Sequence, residues 1–556
     1  MGITALINKY TPTKKTEDLK EYFNISSDDE AALIVDNELS DYKAKIIDKK
    51  IYVDYKFVHD SLNSRFYWDA NENVLLYTTA SDIISAAADS NSYSVTKQTN
   101  DFGYPIVKAT SDSALIALDY VKQYSNITFK SYDDPARIVI TSKWDEIDSA
   151  TVSKSTQIRV KGGIKSPILK EVKKDDKITI LDSGDKWDKV ATEDGVIGYI
   201  KRKALSESKK TKLTNPDYEE ETFTHIKKDK DICLAWNQVT SQSANSKVPQ
   251  VISSTKGINV MSPTWFYLND NNGNLADIAS KDYVSYCHSQ GIEVWGLFSN
   301  FENTDVDAAY VLTHTSTRTT LINQIMSAAF NYELDGVNID FENITEAAYG
   351  DSYIEFIREL AIKCHNNGIS LSVDVTVPAS FNKFFNRSDM ANFADYIVIM
   401  GYDEHYKGSD AGSVSSIPWV TEGVESTLKE VPADQIILGM PFYTRIWELT
   451  PKEDDDAVTD TEDQSKYTVA SQVYSMDAAA AQLATNNATA ALDEESGQNY
   501  AEWSVSNKLY KVWLEDNTSL ENRLKLVDDN KLAGAAFWKL GFENSSVWDT
   551  VIKYLN

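Results

Sequence analysis

Asn338, Asp340 and Glu342 occupy alternate positions in residues 334–344, LDGVNIDFENI, a stretch that otherwise reads as a buried strand. A strand sends alternate side chains to opposite faces. One face shows Val337, Ile339 and Phe341; the other shows Gly336, Asn338, Asp340 and Glu342. Burying unpaired charge is costly, so the polar face is either wet or built for chemistry. Two carboxylates one pleat apart, roughly 6–7 Å along the strand, resist ionising together, and one of them should bind its proton more tightly. The upper one, Glu342, is placed to act as a general acid. Asn338 can donate a hydrogen bond to Asp340 and help to keep it ionised. Two other readings are open for such a pair: an internal hydrogen-bonded network without catalysis, and a site for Mg²⁺ or Ca²⁺. The six histidines show no ligand spacing, which argues against zinc. No metal and no cofactor is expected.

The elements around this strand set its place. Buried apolar runs recur as ICLAWNQV, GINVMSPTWFYL, IEVWGLFSN, DGVNIDFE, ISLSVDVTV, ADYIVIMGYDE, IILGMPFYTRIW and LAGAAFWKLG. Helical patterns lie between them, as at 319–331, 351–367 and 519–529, the last opened by a candidate capping box of Thr518 and Glu521. Eight strands alternating with helices predict an α/β fold, a (β/α)₈ TIM barrel, over residues 231–556. An acidic, Ala-rich insert at about 448–503, with EDDDAVTDTEDQ and a helix MDAAAAQLA, interrupts the last unit. It follows the seventh strand and is expected to wall one side of the cleft. In such barrels the site lies at the C-terminal ends of the strands, which puts Glu342 at the mouth and Asp340 one pleat below.

The chain has 556 residues, enough for several domains. Its 84 acidic and 55 basic residues leave a net charge of −29, which disfavours nucleic acid and anionic membranes as partners and is indifferent to neutral glycans. Three cysteines without metal-type spacing imply no disulfide framework. No apolar run is long enough to span a membrane. The N-terminal stretch shows no signal peptide, and Met1-Gly2 fits a removed signal as well as an ordinary start. Residues 1–29 are expected to be a flexible segment. Residues 30–150 read as an α+β domain with an internal repeat: FVHDSLNSRFYWDANENVLLY (57–77) parallels YVKQYSNITFKSYDDPARIVI (120–140), each a short helix followed by a hairpin. Residues 151–207 read as a small all-β barrel, in which Trp187 is read as core ahead of the alternative of a ligand contact, and residues 208–230 read as a linker.

Resemblances to known families bear on each part. KIIDKKIYVDYKFVHDSLNSRFYWD resembles the copper amine oxidase N-terminal-like domain, a stalk that does not itself bind copper. The spacing of Ile158–Val160, Ile178–Ile180, Trp187, Val190 and Gly198-Tyr199-Ile200 resembles the bacterial Src-homology-3-like (SH3-like) domain, which often binds cell-wall peptides. LDGVNIDFE is similar to the D-x-x-D-x-D-x-E signature of glycoside hydrolase family 18, the chitinase-like barrels, with Asp335, Asn338, Asp340 and Glu342 at its four positions. VIMGYDEHY, GMPFYTRIW and AFWKLG resemble further segments of that family, with Thr444 where Gly is usual. SPTWF, MGYDEHY, SIPWV and YKVWLEDNTSLENRL resemble its spore cortex-lytic and cell-wall N-acetylglucosaminidase branch, which often has Asn at the second signature position.

The family resemblance implies retaining, substrate-assisted hydrolysis, in which the 2-acetamido carbonyl of the substrate is the nucleophile. Glu342 would protonate the leaving oxygen and then activate water. Asp340 would orient the acetamido N–H, Tyr402 would bond its oxygen, and Asp335 and Asn338 would support them. Asp403 would hold a hydroxyl, Trp538 would floor the sugar, and Tyr443, Arg445 and Trp265 would be further contacts. Because Asn338 cannot take a proton as Asp would, Asp340 is expected to depend more on Glu342. The implied partner is an N-acetylglucosamine-containing polysaccharide, peptidoglycan or chitin-like, met by a secreted or wall-associated monomer. Chitin or N-glycan cleavage is the alternative within the chemistry, and a non-catalytic glycan-binding protein is the alternative outside it.

Overall fold

The computed structural model describes residues 10–342, 344, 347–452 and 464–555. Residues 1–9 of the expected flexible segment and the acidic run 453–463 of the expected insert lie outside them. The chain divides into two units, Met1–Thr222 and Phe223–Asn556.

The second unit is built on eight parallel strands: β1 (Ile232–Asn237), β2 (Val260–Leu268), β3 (Glu293–Ser299), β4 (Gly336–Asp340), β5 (Ser370–Thr376), β6 (Tyr396–Met400), β7 (Ile436–Pro441) and β8 (Gly534–Trp538). Each pairs with the next, and β1 pairs with both β2 and β8, so the sheet closes into the expected TIM barrel. The alternation that marks these runs sorts their side chains. Outward residues pack under the helices, as where Phe341 stacks on Phe356 at 5.5 Å. The inward residues Ile232, Leu234, Val260, Trp295, Tyr396, Val398 and Ile437 form the lower interior. Gly336 makes room there, since a Cβ on it would lie 2.5 Å from the Trp295 ring. Higher up the interior turns polar, with Ser262, Asn338, Ser372, Asp340 and Asp374 all buried.

The opposite, N-terminal end is fastened by a repeated device. Asn259, Asp335 and Asp395 each precede an even-numbered strand and accept the backbone N–H that starts the strand before it. The donors are Cys233, Val294 and Leu371, each at 2.8 Å. His288 and His365 reach the same two carboxylates at 2.7 and 3.0 Å. Asp335, expected to support the site, is therefore a fastening of the barrel floor, roughly 16 Å along the strand from Asp340.

The insert differs from its expected bounds. Its antiparallel sheet holds Tyr443–Pro451, Tyr467–Ser475, Ala491–Asp493, Gln498–Val505 and Lys508–Leu514, and the expected helix forms at Met476–Thr485. The run GMPFYTRIW thus serves two sheets, because the chain leaves β7 at Pro441 and continues its alternation in the insert. The helix Asn517–Asp529 is capped by Asp516, not by Thr518. The Asp516 carboxylate accepts from Thr518 and Ser519 N–H at 2.8 and 3.2 Å, and the Ser519 hydroxyl accepts the Asp516 N–H at 3.0 Å.

In the first unit, each repeat copy is a short helix followed by a hairpin: Tyr55–Ser61 with Phe66–Asp69 and Val74–Thr78, and Leu118–Gln123 with Thr128–Tyr132 and Arg137–Thr141. A seven-stranded antiparallel sheet runs from Glu146–Thr151 to Lys209–Lys212, so residues expected as linker pair with Glu146–Ser149. Its core is shared with the neighbouring sheet, because Ala32 and Ile34 pack among Val152, Ile158 and Val190. Residues 10–29, expected to be flexible, are tied down where described. Phe23 is fully buried in that core, and the Thr13 and Glu17 N–H groups each bond strand-side carbonyls at 2.8 Å. No helix among the described residues is long and apolar enough to cross a membrane.

Removing the Asp335 carboxylate orphans the Val294 N–H, which costs about 1–3 kcal/mol. Asp335→Ala should lower the urea midpoint accordingly and leave ligand affinity at the opposite end of the barrel unchanged, measured by denaturation and by titration.

Candidate active site

A cleft of about 620 Å³ opens at the C-terminal ends of the strands. Trp236, Leu297 and Trp538 form its apolar floor, and Phe301, Phe381, Tyr406 and Trp419 its aromatic border. Between them stand six carboxylates, Glu302, Asp340, Glu342, Asp374, Asp403 and Glu404, and no Lys or Arg lines the cleft among the described residues. Of the residues expected from sequence, Asp340, Glu342, Tyr402, Asp403 and Trp538 meet here.

Asn338 lies beneath them and is fully occupied. Its Oδ1 accepts from Trp236 Nε1 and Ser262 Oγ, each at 3.0 Å. Its Nδ2 donates to Ser372 Oγ at 3.0 Å and to Asp374 Oδ1 at 2.7 Å. An amide offers two donors and two acceptor sites, so none remains for Asp340. The expected Asn338–Asp340 bond is replaced by one to Asp374. Asp340 Oδ1 is buried without a hydrogen-bond partner.

This packing fixes the electrostatics. Burial holds the Asp340 carboxyl well above the usual range, and Asp374, Glu342 and Glu302 push it the same way. Asp374 is also held well above it by burial, against the bond from Asn338, with Glu342 adding to the rise. Glu342 is raised by desolvation, then by Asp403 and Glu302. Three acids that oppose one another's ionisation retain protons above the ordinary carboxylate range. The Glu342 N–H donates to Asn300 Oδ1 at 3.0 Å, which steadies the chain as it leaves β4. Tyr402 is raised well above the phenol range by burial and the facing carboxylates, so its O–H is a standing donor.

Tyr443 and Arg445, expected to contact ligand, instead stand behind Asp403. Tyr443 Oη donates to Asp403 Oδ1 at 2.5 Å, and Arg445 Nη2 lies 3.8 Å from the same oxygen. Asp403 holds a left-handed φ of 61°, a conformation that costs an ordinary residue about 1–2 kcal/mol and that these two partners keep in place. The insert therefore supports the cleft wall through its first strand, and none of its described residues lines the cleft. Trp265, a further expected contact, is core: fully buried, with its Nε1 donating to Asn245 Oδ1 at 2.8 Å and its ring against Tyr283.

Sequence reasoning missed Asp374, Glu302 and Trp236. Asp374 carried a readable signal, because Ser370, Ser372 and Asp374 alternate in SLSVDVT as the polar face of β4 does. Glu302 lies past the end of β3, where alternation says nothing; Ser299 Oγ donates to its two oxygens at 2.7 and 2.6 Å.

Comparison with known proteins bears on this arrangement. Residues 298–543 match Glycosyl hydrolases family 18. The chain is 24% identical over 302 residues to an uncharacterized glycosylase, YvbX, of Bacillus subtilis, covering 51% of this chain and 81% of that protein. It is 24% identical over 287 residues to the cortical fragment-lytic enzyme of the same organism, covering 50% of this chain and 63% of that one. The crystal structure of the Bacillus cereus spore cortex-lytic enzyme SleL superposes with a TM-score of 0.51 at 18% identity, over 62% of this chain and 79% of that one, a likeness of fold.

The raised carboxyls give a signed expectation. The folded state keeps protons that the unfolded chain releases, so their contribution to stability is fully present below the unfolded carboxylate range, near pH 4. It is lost as pH rises through the raised values. Asp374→Asn keeps the acceptor for Asn338 and removes one acid. Relative to wild type it should gain unfolding free energy as pH rises above the ordinary carboxylate range, until the raised Asp374 value is passed, measured by chemical denaturation at each pH.

Proposed function

We propose that this chain, whose residues 298–543 match Glycosyl hydrolases family 18, cleaves β-1,4 bonds after N-acetylglucosamine with retention of configuration, and that its polymer is peptidoglycan of the cell wall or spore cortex. The observation that carries the reading is Glu342 at the mouth of the cleft above a buried Asp340 whose Oδ1 is unoccupied.

In this reading the sugar lies over Trp538 with its acetamido group turned into the cleft. Glu342, whose hold on its proton is strengthened by desolvation and by neighbouring acids, delivers it to the leaving oxygen. The acetamido carbonyl attacks the anomeric carbon, so no second carboxylate acts as nucleophile. Asp340 Oδ1 accepts the acetamido N–H as positive charge grows on the cyclic intermediate. Tyr402 donates to the acetamido oxygen. Glu342, now ionised, takes a proton from water as it opens the ring. Asp403 holds a sugar hydroxyl, with Tyr443 and Arg445 positioning it.

The wall assignment is supported by the cortical fragment-lytic enzyme among the relatives. It is also supported by the upstream segments, which we read as a stalk over 30–150 and an SH3-like wall-binding or spacer module over 151–207. A secreted, wall-associated setting follows from the same reading.

The test is a digest of purified cortex and vegetative peptidoglycan, with chitin oligomers and an N-glycoprotein in parallel, by wild type and Glu342→Gln. Wild type should release fragments ending in reducing N-acetylglucosamine, with kcat lowered by about 10²- to 10⁴-fold in the variant. Its activity should fall as pH rises through the elevated Glu342 value. Cleavage of chitin or N-glycan alone overturns the wall assignment. Binding without cleavage by either protein overturns the enzyme reading.

A further inference from the structure

The insert carries a second cavity, of about 390 Å³, on the face of its sheet beside the helix Met476–Thr485. Strand register explains how it forms. Gln472, Ile446, Val512 and Ala501 make one cross-strand row, and the last three pack with Leu483 of the helix. The next row is Ala470, Glu448, Tyr510 and Trp503, and all four line the cavity, with Gln482 and Asn486 from the end of the helix. The Trp503 and Tyr510 rings lie nearly parallel, 8° apart in plane with centroids at 5.4 Å.

The chemistry of the walls is narrow. Glu448 is the one ionisable carboxylate, and it is already satisfied by Lys508 Nζ at 2.5 Å and Tyr510 Oη at 2.8 Å, which hold it below its ordinary range. What remains is neutral: the amides of Gln472 and Gln482, and the Trp503 indole, half-buried with its N–H unpaired among the described residues. Flat aromatic surface beside the Gln482 amide, and beside a Gln472 amide whose Oε1 accepts from Tyr474 Oη at 3.2 Å, suits a ligand with an apolar C–H face and neutral hydroxyl or amide groups at its edge. A pyranose sugar has that pattern. A charged ligand would find no free counter-charge in the walls.

We propose that this cavity is a second carbohydrate site, distinct from the catalytic cleft, that holds an N-acetylglucosamine unit of the polymer by stacking on Trp503. The identity of the sugar rests on the function proposed above; the site itself rests on the insert alone. The strand Tyr443–Pro451 contributes Ile446 and Glu448 to this cavity and carries Tyr443 and Arg445 to Asp403. The second site and the cleft therefore share one rigid element, and a polymer held at the first is presented to the second at high effective concentration.

The experiment uses the full chain. With Glu342→Gln to stop turnover, calorimetric titration with a β-1,4-linked N-acetylglucosamine hexamer should show two classes of site. Adding Trp503→Ala or Gln482→Ala should weaken one class about 10-fold or more and spare the other; Gln482 lies on the helix, so its variant leaves the sheet intact. In the otherwise wild-type protein, Trp503→Ala should lower the rate on insoluble polymer several-fold and leave kcat/KM on a short soluble trimer unchanged. A single class of site before and after substitution overturns the proposal. So does an equal loss on polymer and trimer, which would make the ring pair a sheet-stabilising contact only. If wild type hydrolyses nothing, the titration still decides the second site, because Trp503→Ala and Trp538→Ala remove different binding events.

Discussion

The four hydrogen bonds of Asn338 are the constraint on which the upper barrel depends. They join side chains from β1, β2, β4 and β5 across a buried interior. A buried polar group left unpaired costs more than a made bond returns, so each of Trp236, Ser262, Ser372 and Asp374 is held where Asn338 can reach it. Trp236 in turn meets Trp538 edge to face at 6.0 Å. The floor of the cleft and the position of its deepest acid thus follow from one amide. An aspartate in that place would lack the two donors and would set a third carboxylate against Asp374 and Asp340.

Above that layer the structure tolerates what cores avoid. Asp340 and Asp374 are buried with no basic group among the cleft-lining residues described, and Asp403 keeps a left-handed backbone. Such conflicts are expected where function opposes stability. The surroundings make them tolerable: the closed barrel, the fastened N-terminal face, and an insert whose Trp447 Nε1 donates to Gly412 O at 2.8 Å while Tyr443 and Arg445 brace Asp403.

The sequence carried the barrel and the catalytic strand because both are written in alternation. All eight parallel strands fall within the quoted runs, and Asp340 and Glu342 emerge on the expected face at the expected end. Alternation names a face; it does not give depth, and it does not mark where a strand changes sheets. Asp335 matches a signature position yet sits at the wrong end, one residue before β4 begins. Tyr443 and Arg445 look continuous with β7 but belong to the next sheet, which turns them toward Asp403 and away from the cleft. Trp265 lies on the outward side of β2, where an aromatic is indistinguishable by type from one that meets a sugar. Asn338 and Asp374 each alternate legibly in their own strands, but their pairing was not legible, because the two lie 36 residues apart. The ordered segment around Phe23 escaped notice because one buried aromatic in a polar stretch is a weak signal.

The central claim is that the substrate's own acetamido oxygen is the nucleophile, positioned by Asp340 and Tyr402 while Glu342 supplies the proton. The most direct test is the cleavage rate of a matched oligosaccharide series whose scissile sugar bears N-acetyl, N-monofluoroacetyl, N-difluoroacetyl and N-trifluoroacetyl groups. Fluorine withdraws electrons from the carbonyl oxygen and barely changes its size. The account predicts a steep, monotonic fall in kcat along the series. A flat series would contradict it, because the attack would then come from an enzyme carboxylate or from water.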